Sequence, residues 1–154
     1  EKFKVKLPRP MIYSKDFNFS FSGLKTAVLY AVKKNKRLAD NRRFVGFVCR
    51  EFQQAVVDVL ISKTIAAAKK LKPNTILIAG GVSANKTLRY QLKKAIKSHF
   101  STMGYVEPPV RYSVDNAVMI AIAGYYRWKK IKNKATFALD NWEKIQSSAN
   151  LNLK

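Results

Sequence analysis

The chain has 154 residues, 47% of them hydrophobic, and its 30 basic side chains against nine acidic ones give a formal net charge of +21. This length and composition fit one globular domain or a large part of one, and exclude a disordered tail; no apolar run approaches the roughly 18 residues of a membrane span. The positive charge favours a polyanionic partner, nucleic acid ahead of an anionic membrane, unless it reflects a lysine-rich composition alone.

The first predicted elements are two extended segments and a helix. Residues 3–12 alternate apolar and basic side chains and contain two prolines, which exclude a helix. Residues 17–21 alternate again and are rich in phenylalanine, which is typical of a strand. Ser22 then predicts an N-cap for a helix from about Gly23 to Lys34.

The middle of the chain predicts a long helix followed by a buried strand. Asp40 or Asn41 can cap the helix, which continues to about Leu71, and Pro73 stops it. The apolar run at residues 75–79 is rich in β-branched side chains and predicts a strand buried on both faces of a mixed sheet.

Two more helices and a short strand are predicted beyond this run. Ser83 can cap a helix that carries Leu88, Leu92 and Ile96. Residues 105–106 begin a strand, and Ser113 or Asp115 can cap a final helix to about Lys130. From residue 134 the chain is polar and predicted to be irregular. This order of elements indicates an α/β layered fold.

The sharpest motif is the bend after the buried strand, where residues 79–85 read Ala-Gly-Gly-Val-Ser-Ala-Asn. Gly80 and Gly81 allow positive φ and the close approach of a ligand, and the N-terminus of the next helix favours an anion such as phosphate. Asn85 adds a hydrogen-bond donor and an acceptor. The pattern is equally compatible with a tight turn in which the glycines serve geometry alone.

Two further motifs have both a structural and a functional interpretation. Asp115 precedes an apolar helix, so it can be an N-cap or an oxygen ligand to a cation at the carboxyl edge of the sheet. Ser22, Gly23 and Lys25 form either a strand-to-helix turn, which the local sequence favours, or a set of contacts to an anion.

Taken together and in this order, the motifs resemble the TsaD family, also known as Gcp, of tRNA N6-adenosine threonylcarbamoyltransferases. The series is Arg-Pro-Met at 9–11, Phe-Ser-Phe-Ser-Gly-Leu-Lys-Thr-Ala at 19–27, Gly-Gly-Val-Ser-Ala-Asn at 80–85 with Leu-Arg at 88–89, and Asp-Asn at 115–116 with Met-Ile-Ala at 119–121 and Gly124. The likeness covers residues 6–128, and Lys25 is typical of the bacterial or organellar form.

The resemblance implies a fold, an activity and a set of site residues. Residues 1–133 would be a partial C-terminal lobe of an actin-like ATPase (ribonuclease-H-like) fold, a mixed sheet flanked by helices and incomplete at its N-terminal side, with an irregular tail at 134–154. The activity would be transfer of a threonylcarbamoyl group from threonylcarbamoyl-AMP to N6 of the adenosine beside the anticodon of tRNA. The implied adenylate-binding residues are Gly80, Gly81, Val82, Ser83 and Asn85, with Ser22, Gly23 and Lys25 as further candidates. Asp115 would be a ligand of one divalent metal ion, iron or zinc ahead of magnesium.

The chain departs from the family pattern in its metal ligands. The family pairs this aspartate with two histidines of an N-terminal lobe, whereas the only histidine here, His99, is predicted to be a helix-end or surface residue. Val114 also replaces the usual threonine. Because one carboxylate does not hold a catalytic ion against water, we predict that this chain alone does not catalyse the transfer.

The resemblance also implies partners and a location. The partners would be tRNA, the lobe that carries the histidine ligands, a TsaB-like paralogous subunit and a TsaE-like ATPase, with no membrane. The single Cys49 and the charged N-terminus agree with a cytoplasmic location. Two alternatives stay open: a lobe of an actin-like small-molecule kinase, and a non-catalytic partner subunit that binds tRNA or nucleotide.

Overall fold

The computed structural model describes residues 3–132, with the elements in the order helix, helix, strand, helix, strand, helix. The helices are α1 (Ser22–Lys34), α2 (Arg42–Leu71), α3 (Lys86–His99) and α4 (Ala117–Lys130), and the strands are β1 (Thr75–Leu77) and β2 (Gly104–Val106). The chain divides into two compact units, Glu1–Ser113 and Val114–Lys154, so α4 lies in the second unit. The tail predicted at 134–154 is outside the described residues.

The long helix α2 has the boundaries that the sequence predicts. The side-chain oxygen of Asn41 accepts hydrogen bonds from the backbone N–H groups of Arg43 and Phe44, at 3.0 and 3.2 Å. Lys72 follows the last turn with a left-handed backbone (φ 50°), and Pro73 comes next. Both the asparagine cap and the end of the helix are therefore confirmed.

β1 and β2 form a two-stranded parallel sheet in which Leu77 lies opposite Val106. The prediction that the first strand is buried on both faces is wrong, since Leu77 is 64% exposed. Successive strand residues point to opposite faces, so Ile76 packs against the core while its neighbour faces solvent. The strand also ends at Leu77, two residues before Ala79.

Two apolar clusters make up the core of the first unit. The first joins α2, α3 and the sheet, and its buried members are Val57, Ile65, Leu88, Leu92 and Ile96. The second joins α1, α2 and the N-terminal segment through Leu7, Leu24 and Ala55. Because α2 contributes to both clusters, it is the element against which the unit is assembled. The predicted apolar face of α3 is confirmed.

The N-terminal segment is not a strand, although its alternation predicts extended structure, and residues 17–21 are not a strand either. Side chains of α2 supply the contacts that a neighbouring strand would otherwise give. The backbone N–H of Leu7 donates to Glu51 Oε1 at 3.1 Å, and the guanidinium of Arg9 bonds both Glu51 and Asp58. The segment is thus bound to a helix and not to a sheet edge.

A buried lysine fixes the loop that follows. Lys63 of α2 is 5% exposed, and its ammonium group donates to Ser14 O, Ser14 Oγ and Asp16 O at 2.9, 2.6 and 2.8 Å. All three N–H donors of the ammonium group are therefore used. Hydrogen bonds from Ser14 and Asn18 lower the pKa of Asp16 below its ordinary value. The loop is shaped by these bonds and by Met11, which has a positive φ of 56°.

The arrangement is mixed α/β, as predicted, with a small parallel sheet and helices packed on one face. The actin-like lobe stays a prediction. No helix within residues 3–132 combines the length and the apolarity that a membrane crossing needs.

Candidate functional site

The diglycine bend lies at the carboxyl end of β1 and is exposed. Gly80 has φ 81° and ψ 170°, a conformation that is open to glycine and strained for other residues. Gly81 begins a short 3₁₀ turn, Gly81–Ala84, which the sequence did not predict. A Cβ at either glycine would meet no protein atom within 4 Å. Space beside the bend is therefore open to a ligand.

The cap of α3 is Asn85 and not Ser83, so the predicted serine cap is wrong. The 3₁₀ turn moves the start of the helix to Lys86, and Asn85 Oδ1 accepts a hydrogen bond from the backbone N–H of Leu88 at 3.0 Å. Ser83 is 2% exposed, and its Oγ has no hydrogen-bond partner among residues 3–132. The hydroxyl group of Ser83 is therefore not on the surface, whereas the neighbouring Val82 is 62% exposed.

Asn85 is tied to α2 through a second amide that the sequence did not single out. Its Nδ2 donates to Gln53 Oε1 at 3.0 Å, and Gln53 Nε2 donates to Thr87 Oγ1 at 3.0 Å. Each amide nitrogen carries two N–H donors and each amide oxygen two lone pairs. The two side chains are therefore oriented by the protein and each keeps one N–H and one lone pair beyond these bonds.

A pocket of about 390 Å³ lies between α2 and the start of α3. Its lining is apolar apart from the two amides and one thiol, and consists of Cys49, Phe52, Gln53, Val56, Val57, Leu60, Val82, Asn85 and Leu88. Small-molecule sites are commonly apolar clefts of this size with a few oriented polar groups. Two of the predicted residues, Val82 and Asn85, are thus brought together in one concave site.

Arg89 holds the loop against the chain that follows β2. Its Nε donates to Ser83 O, its Nη2 donates to Ser113 Oγ at 3.0 Å, and its Nη1 lies 3.9 Å from Glu107 Oε1. Glu107 also accepts a hydrogen bond from the hydroxyl of Tyr105, and burial raises the pKa of that hydroxyl. The sequence contained a signal, since Arg89 follows the Gly-Gly-Val-Ser-Ala-Asn motif that includes Ser83. Its other two partners, Glu107 and Ser113, come from more distant parts of the sequence.

The second candidate anion site has a different location. Ser22, Gly23 and Lys25 are exposed in the first turn of α1, and none of them lines the pocket beside Asn85. The prediction that Ser22 caps α1 is wrong, because the helix already includes Ser22 and the cap position belongs to Phe21, without a side-chain bond. The hydroxyl of Ser22 instead pairs with Ser20 Oγ at 3.1 Å.

In the second unit, the cap of α4 is Asn116. Its Oδ1 accepts a hydrogen bond from the backbone N–H of Met119 at 3.1 Å, so the predicted caps Ser113 and Asp115 are wrong. Asparagine has the extended backbone of an N-cap here, one residue closer to the helix than the aspartate. Asp115 is exposed and is not needed as a cap.

The described residues do not form a metal site by themselves. Among residues 3–132, no group of three or more histidine, cysteine, aspartate or glutamate side chains could hold an ion. His99 is the last residue of α3 and is exposed, and its Nδ1 lies 2.9 Å from Ala95 O, which fits the predicted helix-end position. A metal that uses Asp115 would need ligands from elsewhere.

Comparison with known proteins gives consistent matches. The model of the family "TsaD: tRNA N6-adenosine threonylcarbamoyltransferase" matches residues 1–122. Proteins named tRNA N6-adenosine threonylcarbamoyltransferase from Thermosipho africanus, Thermosipho melanesiensis and Buchnera aphidicola are 49%, 48% and 44% identical to this chain over 82%, 77% and 82% of its length. The matched regions span 37%, 34% and 36% of those proteins, so the chain corresponds to little more than a third of each.

Proposed function

This chain belongs to the TsaD family of tRNA N6-adenosine threonylcarbamoyltransferases, and we propose that it forms the adenylate-binding part of such an enzyme. The donor would be threonylcarbamoyl-AMP and the acceptor N6 of the adenosine beside the anticodon of tRNA. The observation that carries the proposal is the open diglycine bend next to a pocket in which two amides are already oriented.

The bend supports the proposal because packing does not explain both glycines. The backbone of Gly80 requires glycine, whereas Gly81 has no positive φ and has room for a side chain. A second glycine that the fold does not require is explained if a ligand occupies the space that a Cβ would fill. The chain resembles the family's adenylate-binding loop at this position.

The pocket has a size and a lining that suit an adenosine moiety. Its apolar walls suit the faces of a purine, and Gln53 and Asn85 each keep one N–H and one lone pair that can bond the edges of the base or the ribose hydroxyls. Since protein hydrogen bonds already orient both amides, binding costs little side-chain entropy.

In the proposed reaction this chain holds the donor while the acceptor amine attacks. The N6 nitrogen forms a bond to the carbamoyl carbon, the bond from that carbon to the phosphate oxygen breaks, the amine loses a proton and AMP leaves. Holding the adenylate fixes the carbonyl in reach of the amine. Asp115 is one proposed ligand of the divalent ion that the resemblance implies, iron or zinc ahead of magnesium. Its other ligands would come from a histidine-bearing lobe outside residues 3–132, and the TsaB-like and TsaE-like partners are proposed on the same resemblance.

The test compares two glycines by titration calorimetry with AMP. Gly81→Ala is expected to leave the stability of the chain nearly unchanged and to weaken AMP binding about tenfold or more, because the new methyl group fills ligand space. Gly124→Ala in α4 is the control, since it also adds a methyl group that meets no protein atom. Equal AMP affinity for the two variants, or no binding by the unmodified chain, would contradict the proposal.

A further inference from the structure

The C-terminal ends of α2 and α3 meet at a second concave site, which we call the lysine pocket. It has a volume of about 680 Å³ and is lined by Ala68, Lys69, Lys72, Pro73, Asn74, His99, Phe100, Ser101, Thr102 and Met103. The lining residues at the end of α2 come just before β1, and those at the end of α3 come just before β2. The two strands are parallel. The lysine pocket therefore lies at the amino edge of the sheet, at the opposite edge from the Gly80 bend.

The lysine pocket carries positive charge that the described protein does not neutralise. Lys69 and Lys72 form no ion pair within residues 3–132, and no carboxylate lines the pocket. The carboxylates of α2, Glu51 and Asp58, are both bound to Arg9. Lysines at a helix C-terminus are favoured by the helix dipole, but two of them around one cavity repel each other unless an anion binds.

The remaining lining adds hydrogen-bond donors. Asn74, Ser101 and Thr102 carry amide and hydroxyl groups, which can bond phosphate oxygens or ribose hydroxyls. Nδ1 of His99 lies 2.9 Å from the carbonyl oxygen of Ala95 and 3.1 Å from Ser98 Oγ, so the imidazole ring is positioned by its own helix. The cavity thus combines two lysine charges with neutral polar side chains.

An aromatic side chain borders the same helix end. Lys70 Nζ lies 5.4 Å above the ring of Phe17, which is 38% exposed. Phe17 directly follows Asp16, whose carbonyl is bound by the buried Lys63. An exposed aromatic ring beside a lysine is a combination by which proteins hold single-stranded nucleic acid, with a phosphate at the lysine and a base on the ring.

We propose that the lysine pocket, together with Lys70 and Phe17 near the same end of α2, binds the phosphate backbone of the RNA substrate away from the adenosine that is modified. This inference rests on the proposed function, which makes tRNA the acceptor. A concave cavity with hydroxyl and amide groups suits a projecting sugar–phosphate chain better than the flat surface of a membrane. α3 has 14 residues and separates the two sites by about 20 Å.

The test is anisotropy of a fluorescent, unmodified tRNA transcript at several salt concentrations. The double variant Lys69→Gln/Lys72→Gln is expected to bind about tenfold more weakly, and the slope of log K against log salt is expected to fall by about 1.5, since each phosphate contact contributes roughly 0.7 to 0.9. The matched control is Lys33→Gln/Lys34→Gln in the last turn of α1, which removes the same charge from another helix end.

Each other outcome decides against the inference. Equal losses in the two double variants would mean that RNA responds to total charge alone. Unchanged RNA binding by Lys69→Gln/Lys72→Gln would mean that the RNA lies elsewhere. Binding of phosphatidylserine vesicles that this variant loses, with RNA binding unchanged, would make the pocket a membrane contact. AMP binding separates the two proposals, because it should be the same in all these variants and fails only if the adenylate site is wrong.

Discussion

Asn85 has three roles at one position, as helix cap, as partner of Gln53 and as part of the pocket wall. The sequence predicts its importance through the motif at 80–85 but assigns the cap to Ser83. The reason lies in the 3₁₀ turn, which inserts one extra turn of chain between Gly80 and α3. Serine and asparagine are both favoured caps, so local propensity alone does not choose between Ser83 and Asn85.

Substitutions of Asn85 should separate the cap from the contact with Gln53. Asn85→Ala is expected to lower the free energy of unfolding by about 1 kcal/mol or more, because the N–H of Leu88 loses its acceptor. Asn85→Asp keeps a cap oxygen and is expected to lose less, although the donor to Gln53 is gone. Urea denaturation of both variants measures the difference. Equal losses of unfolding free energy in the two variants would show that Asn85 does not stabilise the chain through its role as a helix cap.

Among the elements, α2 is the one that sequence patterns describe best. Its cap at Asn41 and its end before Pro73 follow from residues within a few positions of each boundary. The extended segments at 3–12 and 17–21 are different, because alternation indicates an extended chain but not what it pairs with. The first segment is bound by Glu51 and Asp58 of α2, and the loop between the two segments by Lys63 of the same helix, 42 to 49 residues away in sequence.

Removal of the Lys63 ammonium group should destabilise this attachment. Lys63→Met keeps the apolar stem but leaves two backbone carbonyls and a hydroxyl of the 14–16 loop without their donor. We expect a loss of about 2 kcal/mol in the free energy of unfolding, measured with urea. Lys33→Met, on the exposed end of α1, is the control and should change stability by less than about 0.5 kcal/mol. A loss in the control as large as in Lys63→Met would contradict the assignment.

At the scale of the whole molecule, the family and the mixed α/β class follow from the order of a few motifs, and the match over residues 1–122 confirms the family. The burial of β1 cannot be predicted from the sequence in the same way. Leu77 is as apolar as a residue covered on both sides, but the sheet has two strands in the described chain and one of its faces stays exposed. An apolar composition shows that a strand is suited to burial, but whether its side chains are covered depends on the elements that pack against it.

The isolated chain is expected to bind AMP without modifying tRNA. Among residues 3–132 no group of three or more possible metal ligands includes Asp115, and the chain contains a single histidine, which lies at the end of α3. The measurement is incorporation of labelled threonine into tRNA, with ATP, bicarbonate and an enzyme that forms the adenylate, with and without the isolated N-terminal region of a Thermosipho relative. Robust incorporation by the chain alone would refute this expectation.

The Gly80 bend and the lysine pocket lie at opposite ends of α3, so on the two proposals above the length of this helix sets the distance between the two binding sites. If an RNA phosphate rests at one end of this helix, a base that reaches the other end must lie several nucleotides further along the strand, because about 20 Å separates them. An extra turn in α3 would lengthen this spacing by about 5.4 Å and leave each end chemically intact. On these proposals, the adenosine that is modified would be selected partly by its distance from the phosphate bound at the lysine pocket.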